Sequence, residues 1–339
     1  MYLPNTKWTW SFFLAALAQG IIALSLEAYV FGKYQTGQRI NVPPDVPETR
    51  TIPTYLAVFM FGFIYEILLV WDALRMKNTI QVIGIVLYNA GILLYAGIQY
   101  DQIDDAIKEL DRKLFFDHPA FWFEIKPMLI ALPILMGVFT FIFAFIAWRL
   151  YDEFAWSIYK HISADLRMKR RYLNYQIYIA LLKFDFFFFL AFTIQFLVVV
   201  DNTTEVEQGL TAAALVVTFC LLFAAAWWVR RESIVGMIII IVVYFIALAY
   251  FLFKLIRMYI TDEARQKDYM PARKSLTSFA VLTIALLLVT IVIACICTHN
   301  FNKGLKQHLN EKKGDRNKNG AVEMPYVSGP SSGQRMEID

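Results

Sequence analysis

Eight runs of predominantly apolar residues dominate this chain, near 9–31, 54–74, 79–99, 127–149, 176–200, 209–229, 233–254 and 276–298. The hydrocarbon core of a bilayer is about 30 Å thick, and a helix rising about 1.5 Å per residue crosses it with roughly 20 such residues. Lipid offers no partner to a backbone N–H or C=O, so a spanning segment of this kind has to be helical. The pattern predicts an all-α, polytopic transmembrane helical bundle of eight spans within residues 1–300. Composition agrees, because 58% of the 339 residues are hydrophobic and only 18% charged, against about 45–50% and about 25% in soluble domains. Residues 301–339, rich in Lys, Asn, Gly and Ser, are expected to form a disordered cytosolic tail.

Short polar breaks separate the runs. Pro43, Pro44 and Pro47 close the first, Arg75, Lys77 and Asn78 part the second from the third, and Arg230, Arg231 and Glu232 leave room only for a tight turn between the sixth and seventh. Ala16-Leu17-Ala18 has the form of a signal-peptide cleavage site, and cleavage there would leave the seven spans of a receptor-like topology. The apolar character continues through Ile21, Ile22, Leu24 and Leu26 to Phe31, which favours a retained helix and eight spans.

Lys and Arg number 18 on the side that carries both termini and 13 on the other. The short loops are sharper: the sixth and seventh runs are joined through Arg230 and Arg231, whereas the link between the fifth and sixth holds no Lys or Arg. The positive-inside rule then places both termini in the cytosol. The sequon Asn202-Thr203-Thr204 falls on the predicted luminal side, which makes Asn202 a weak candidate for glycosylation.

Two connections carry a helical pattern of their own. Ile103, Ile107, Leu110 and Leu114 predict a luminal amphipathic helix, and Phe154, Ile158, Ile162 and Leu166 repeat the spacing on the cytosolic side. The latter leads into a basic patch, Arg167, Lys169, Arg170 and Arg171, expected first of all to anchor topology. Such a patch attracts anionic lipid headgroups at about 1 kcal/mol per charge, and it would equally suit a cytosolic protein partner. Cys295 and Cys297, at the cytosolic mouth of the last run, are candidates for palmitoylation, with ordinary buried thiols an equal reading.

Ionisable residues at membrane depth are costly and face the bundle interior. Glu27, Glu66, Lys183 and Asp185 qualify, and Asn89 and Gln195 add hydrogen-bonding capacity. Glu66 and Lys183 each lie about 12 Å from the same membrane face, so an interhelical ion pair between them is the expected use. The competing reading is a solute or ion pathway, proton-linked, lined by Glu66, Asp185 and Asn89. The runs lack the paired Gly/Pro-interrupted halves of inverted-repeat transporters, which weighs against it. Catalysis has less support: His118, His161, His299 and His308 are scattered without metal spacing, and no nucleophile elbow, phosphate loop or cofactor signature occurs. A net charge of +4 is too small to suggest nucleic acid.

One block is distinctive: Tyr65-Glu66, then Trp71-Asp72-Ala73-Leu74-Arg75, then Lys77-Asn78-Thr79-Ile80-Gln81. It resembles the uncharacterised family of fungal Golgi apparatus membrane proteins, and the span layout is similar over about residues 1–300. The resemblance implies a multi-pass protein of the Golgi membrane and carries no catalytic or binding residue across. Read physically, Asp72 is spaced to meet Arg75 and Asn78 to cap the third span. The functional expectation is a non-enzymatic organiser or adaptor in trafficking or membrane homeostasis, with transporter and receptor as alternatives.

Overall fold

A computed structural model describes residues 4, 6–37, 47–112, 118–161, 166–199, 205–260 and 273–303. They form eight helices: α1 (Lys7–Gly37), α2 (Pro47–Met76), α3 (Thr79–Arg112), α4 (His118–His161), α5 (Leu166–Val199), α6 (Glu205–Arg231), α7 (Ile234–Ile260) and α8 (Arg273–His299). Each is long and apolar enough to cross a bilayer, and no strand occurs among the described residues. The chain is an all-α polytopic bundle. Asn202, Leu114, Ile162 and the tail from 304 onward lie outside the described residues.

The helices form two rings of four. In the first, α1 packs on α2, α2 on α3, α3 on α4 and α4 back on α1; in the second, α5, α6, α7 and α8 close in the same order. The rings meet where α5 lies against α2 and α3, and α3 also touches α8. The first apolar run is therefore part of the bundle, with Gln19 and Glu27 buried in the core.

Lipid tails are as apolar as leucine, so close packing rather than water exclusion joins helices here. The join is aromatic. The Phe187 ring sits against Tyr88, Tyr65 and Phe61, at centroid distances of 4.9, 5.7 and 6.0 Å. Glycine makes the approach possible at Gly84, where a Cβ would stand 2.4 Å from Cε2 of Phe184. Along the same face of α3, Gly91 admits Phe188.

Both inner turns use one device, and they define what we term the hairpin face. After α2, Lys77 adopts a left-handed backbone (φ 49°), its N–H reaching Leu74 O and that of Asn78 reaching Ala73 O. After α6, Glu232 (φ 54°) and Ser233 repeat the pattern on Val229 O and Trp228 O. These are Schellman closures that satisfy the last carbonyls of one helix. The next residue then starts the following helix: Asn78 Oδ1 accepts from the N–H of Ile80 and Gln81, and Ser233 Oγ from that of Gly236. Both expectations for these turns, the Asn78 cap and the tight turn at 230–232, hold.

At the opposite end the helices outrun the membrane. The amphipathic segment read at Ile103, Ile107 and Leu110 is no separate helix but the continuation of α3, because nothing between 99 and 103 breaks the helical run. Those residues pack with Val30, Tyr34, Ile52, Leu56 and Phe121 in a second core built from the ends of α1 to α4. Lys33 Nζ and Glu124 Oε2 bind α1 to α4 there at 2.6 Å.

Candidate functional site

The polar side chains of the membrane interior form rungs, each joining two to four helices. The rung nearest the hairpin face is ionic. Lys183 Nζ of α5 pairs with Asp72 Oδ2 of α2 and donates to Gln81 Oε1 of α3 at 2.9 Å. Gln81 completes the tie, its Nε2 donating to Asp72 Oδ2 (3.1 Å) and to Leu69 O (3.0 Å). The partner of Lys183 is thus Asp72 rather than Glu66. Depth counted along the backbone misleads here, because a lysine stem carries its ammonium toward the polar face. Asp72, six residues nearer the turn than Glu66, meets it there. Arg75, left without Asp72, stacks on Trp71 with its guanidinium 5.2 Å from the ring centroid.

The middle rung gathers four helices. Gln19 of α1 and Asn89 of α3 form a reciprocal amide pair, both bonds at 3.1 Å. The same Gln19 Nε2 donates to Glu66 Oε2 of α2 (3.4 Å) and lies 3.2 Å from Met136 Sδ of α4. Some 12 Å further along α1, counted as eight residues, Glu27 accepts both its hydrogen bonds from Gln99 Nε2 of α3, at 3.2 and 3.3 Å. Between these two levels, since Tyr95 falls between Asn89 and Gln99 on α3, Gln195 Nε2 of α5 donates to Tyr95 OH, and Tyr95 OH to the carbonyl of Tyr55.

Asp185 stands apart in the second ring. Its Oδ2 accepts from Thr290 Oγ1 of α8 at 2.6 Å, while Oδ1 has no partner and the residue borders a cavity of about 50 Å³ with Thr218 and Thr283. Lys183 and Asp185 thus serve different helix pairs, as their spacing requires. The structure brings Glu66 and Asn89 together and leaves Asp185, Glu27 and Gln195 on separate rungs. Three carboxyl groups buried within the spans, Glu27 (1% exposed), Glu66 (3%) and Asp185 (6%), have neutral hydrogen-bond partners, the amides of Gln99 and Gln19 and the Thr290 hydroxyl.

Gln19, Gln99 and Thr290 do not stand out in the sequence, since an uncharged polar residue barely lowers the hydropathy of a long run, and Gln81 stands out only as the end of the block that carries the family resemblance. A helical reading of α1 contains the signal: Phe12, Ala16, Gln19, Ala23, Glu27, Val30 and Tyr34 recur at three and four and are all buried.

On the hairpin face, Arg171 Nη1 donates to Lys303 O (2.6 Å), and Glu232 Oε2 accepts from the backbone N–H of Asn302 (3.0 Å). The start of α5, the α6–α7 turn and the end of α8 are thereby tied together, with Arg167, Lys169 and Arg170 in the first turn of α5 alongside. Cys297 is buried in the second ring and Cys295 exposed, so only the latter presents a thiol to the surroundings. Among the described residues no three His, Cys, Asp or Glu side chains gather as a metal site would require.

No family model and no solved structure matches the chain. It is 33% identical over 331 residues to the UPF0658 Golgi apparatus membrane protein of Schizosaccharomyces pombe, an alignment that covers 91% of this chain and 92% of that protein. With eight spanning helices and identity at that level along nearly its whole length, the chain belongs to the UPF0658 family of Golgi apparatus membrane proteins.

Proposed function

We propose that this protein is a non-enzymatic organiser in the Golgi membrane whose hairpin face is cytosolic and serves as a docking platform in trafficking or membrane homeostasis. The observation that carries this reading is the construction of that face. Two Schellman turns, the Lys183–Asp72–Gln81 tie and the bonds of Glu232 to Asn302 and Arg171 to Lys303 fix its elements to one another. A basic patch at the start of α5 lies on it. The bias of Lys and Arg supports a cytosolic placement for this side and for both termini. The buried amides and carboxyl groups serve as interhelical glue.

A second reading, proton-linked or small-solute transport, draws on one observation: Glu66 Oε1 and Asp185 Oδ1 are buried without partners, and Asp185 borders a cavity. One experiment separates the two. Full-length tagged copies rescue a strain lacking the gene, scored for Golgi localisation, secretion and glycosylation. The organiser reading expects Arg167, Lys169 and Arg170 changed together to Gln to reach the Golgi and fail to rescue, while Glu66→Gln and Asp185→Asn rescue. The opposite pattern, together with solute flux in proteoliposomes, would overturn it in favour of transport.

A further inference from the structure

Where α5 is flanked by α2 and α6, a groove of about 330 Å³ opens toward the lipid. Its floor is aromatic. Phe186 of α5 meets Phe219 of α6 edge-on at 5.6 Å, and Phe219 meets Phe223 one turn on at 4.9 Å. Phe219 and Phe223 are 48% and 65% exposed, so rings and groove face the same apolar surroundings. The end at the hairpin face differs in kind: Lys183 and Arg230 line it, and the helix that carries Arg230 ends one residue later.

Two features identify an occupant. The first is length. From Arg230 to Phe219 is eleven residues of helix, about 16 Å, and one leaflet contributes about half of a hydrocarbon core about 30 Å thick. The groove therefore runs from the headgroup level to the bilayer midplane. The second is charge. An ammonium has three donors, and Asp72 and Gln81 take two of those on Lys183. Asp72 balances the charge of Lys183, whereas among the described residues Arg230 bonds only the neutral hydroxyl of Tyr175, which leaves it the surplus cation with further donors on a guanidinium fork suited to phosphate.

We infer that this groove binds one anionic glycerophospholipid from the leaflet at the hairpin face. One acyl chain lies along Phe186, Phe219 and Phe223, and the phosphate meets Arg230 and the remaining donor of Lys183. The site differs from the basic patch on α5, which attracts a charged surface without seating a chain.

The test uses purified full-length protein in detergent, titrated with phosphatidylserine or with phosphatidylcholine and read by native mass spectrometry, with Tm recorded for each variant. Wild type should retain one phosphatidylserine with about tenfold preference over phosphatidylcholine, the size of effect expected from one or two charges at a membrane surface. Arg230→Gln should bring the two lipids to parity. Ala226→Leu, which narrows the groove and leaves every charge in place, should weaken both. Equal retention of the two lipids by wild type would overturn the inference. So would unchanged phosphatidylserine retention in both variants, or its loss only when Arg167, Lys169 and Arg170 are changed to Gln. Should Arg230→Gln fall below the wild-type Tm, Ala226→Leu decides by the same criterion.

Discussion

The middle rung makes a quantitative demand on stability that a looser arrangement would not. Gln19 and Asn89 share two hydrogen bonds, and Gln19 gives a further one to Glu66. All three residues are buried. An interhelical hydrogen bond inside a membrane contributes about 0.6 kcal/mol on average and up to about 1.7 kcal/mol. Leucine is close in size to both amides, so substitution leaves the packing volume nearly unchanged. Gln19→Leu removes three bonds and should cost about 2–4 kcal/mol, and Asn89→Leu removes two and should cost about 1–3 kcal/mol. The two bonds they share are counted in both losses. The double variant should therefore be more stable than the sum of the single effects by about 1–3 kcal/mol.

Reversible unfolding of the full-length protein in mixed detergent–SDS micelles, followed by circular dichroism, measures the four corners of that cycle. Additivity of the single effects to within about 0.5 kcal/mol would mean that Gln19 and Asn89 do not face each other, and the four-helix rung would fall with that result. A cycle between Gln19 and Gln99, which sit on different rungs, supplies the additive control.

Three further outcomes follow from particular contacts. Asp72→Asn or Lys183→Met alone should destabilise by about 1–3 kcal/mol, below the figure for a fully buried pair because about a third of each side chain is exposed; exchanging the two residues should recover at least half of the loss in the same unfolding assay. Gly84→Ala pushes a methyl into the Phe184 ring and should cost about 1–3 kcal/mol, and Phe184→Leu in the same chain should relieve it, seen as a partial return of Tm. Lys77→Gly should gain about 0.5–1 kcal/mol by relieving a left-handed backbone. Glu232→Gly relieves the same strain but loses the acceptor of the Asn302 N–H, so its Tm should not rise with that of Lys77→Gly.

The spans were legible because a bilayer enforces length and apolarity together, and Arg230-Arg231-Glu232 and Asn78 were legible because turns and caps are local chemistry. Partners across the bundle were not. Asp72 reads in sequence as the i,i+3 neighbour of Arg75, and nothing local announces that α5 delivers Lys183 to it. The glutamines were hidden for a different reason: Gln19 or Gln99 inside an apolar run changes its mean hydropathy little, while three-dimensionally each is the hub of a rung. The meeting of Gly84 with Phe184 depends on helix register between the two rings, which neither run contains by itself. The amphipathic pattern at 103–110 reads in sequence as a luminal helix of its own, and its continuity with α3 depends on residues 99 to 103 having no reason to stop.

The distribution of charge along the ladder bears on where activity resides. Among the described residues two ion pairs join the rings, Lys183–Asp72 next to the hairpin face with about a third of each side chain exposed and Lys274–Asp105 at the exposed opposite end, whereas the rungs between them are held through amides and hydroxyls. An isolated charge at the bilayer centre is expensive, while neutral polar groups find enough compensation from a neighbouring helix to act as glue. The polar groups of the interior thus tie helices together, and Arg230 and the start of α5 place cations at the hairpin face. A transport mechanism in which solute passes Glu66 by displacing Gln19 would break the two hydrogen bonds that Gln19 shares with Asn89 and that join α1 to α3. A lipid or a partner docking at the hairpin face requires no rung to open. Trapping the middle rung closed with a cross-link between α1 and α3 should therefore leave biological rescue intact, and loss of rescue in a correctly localised, cross-linked protein would count directly for transport.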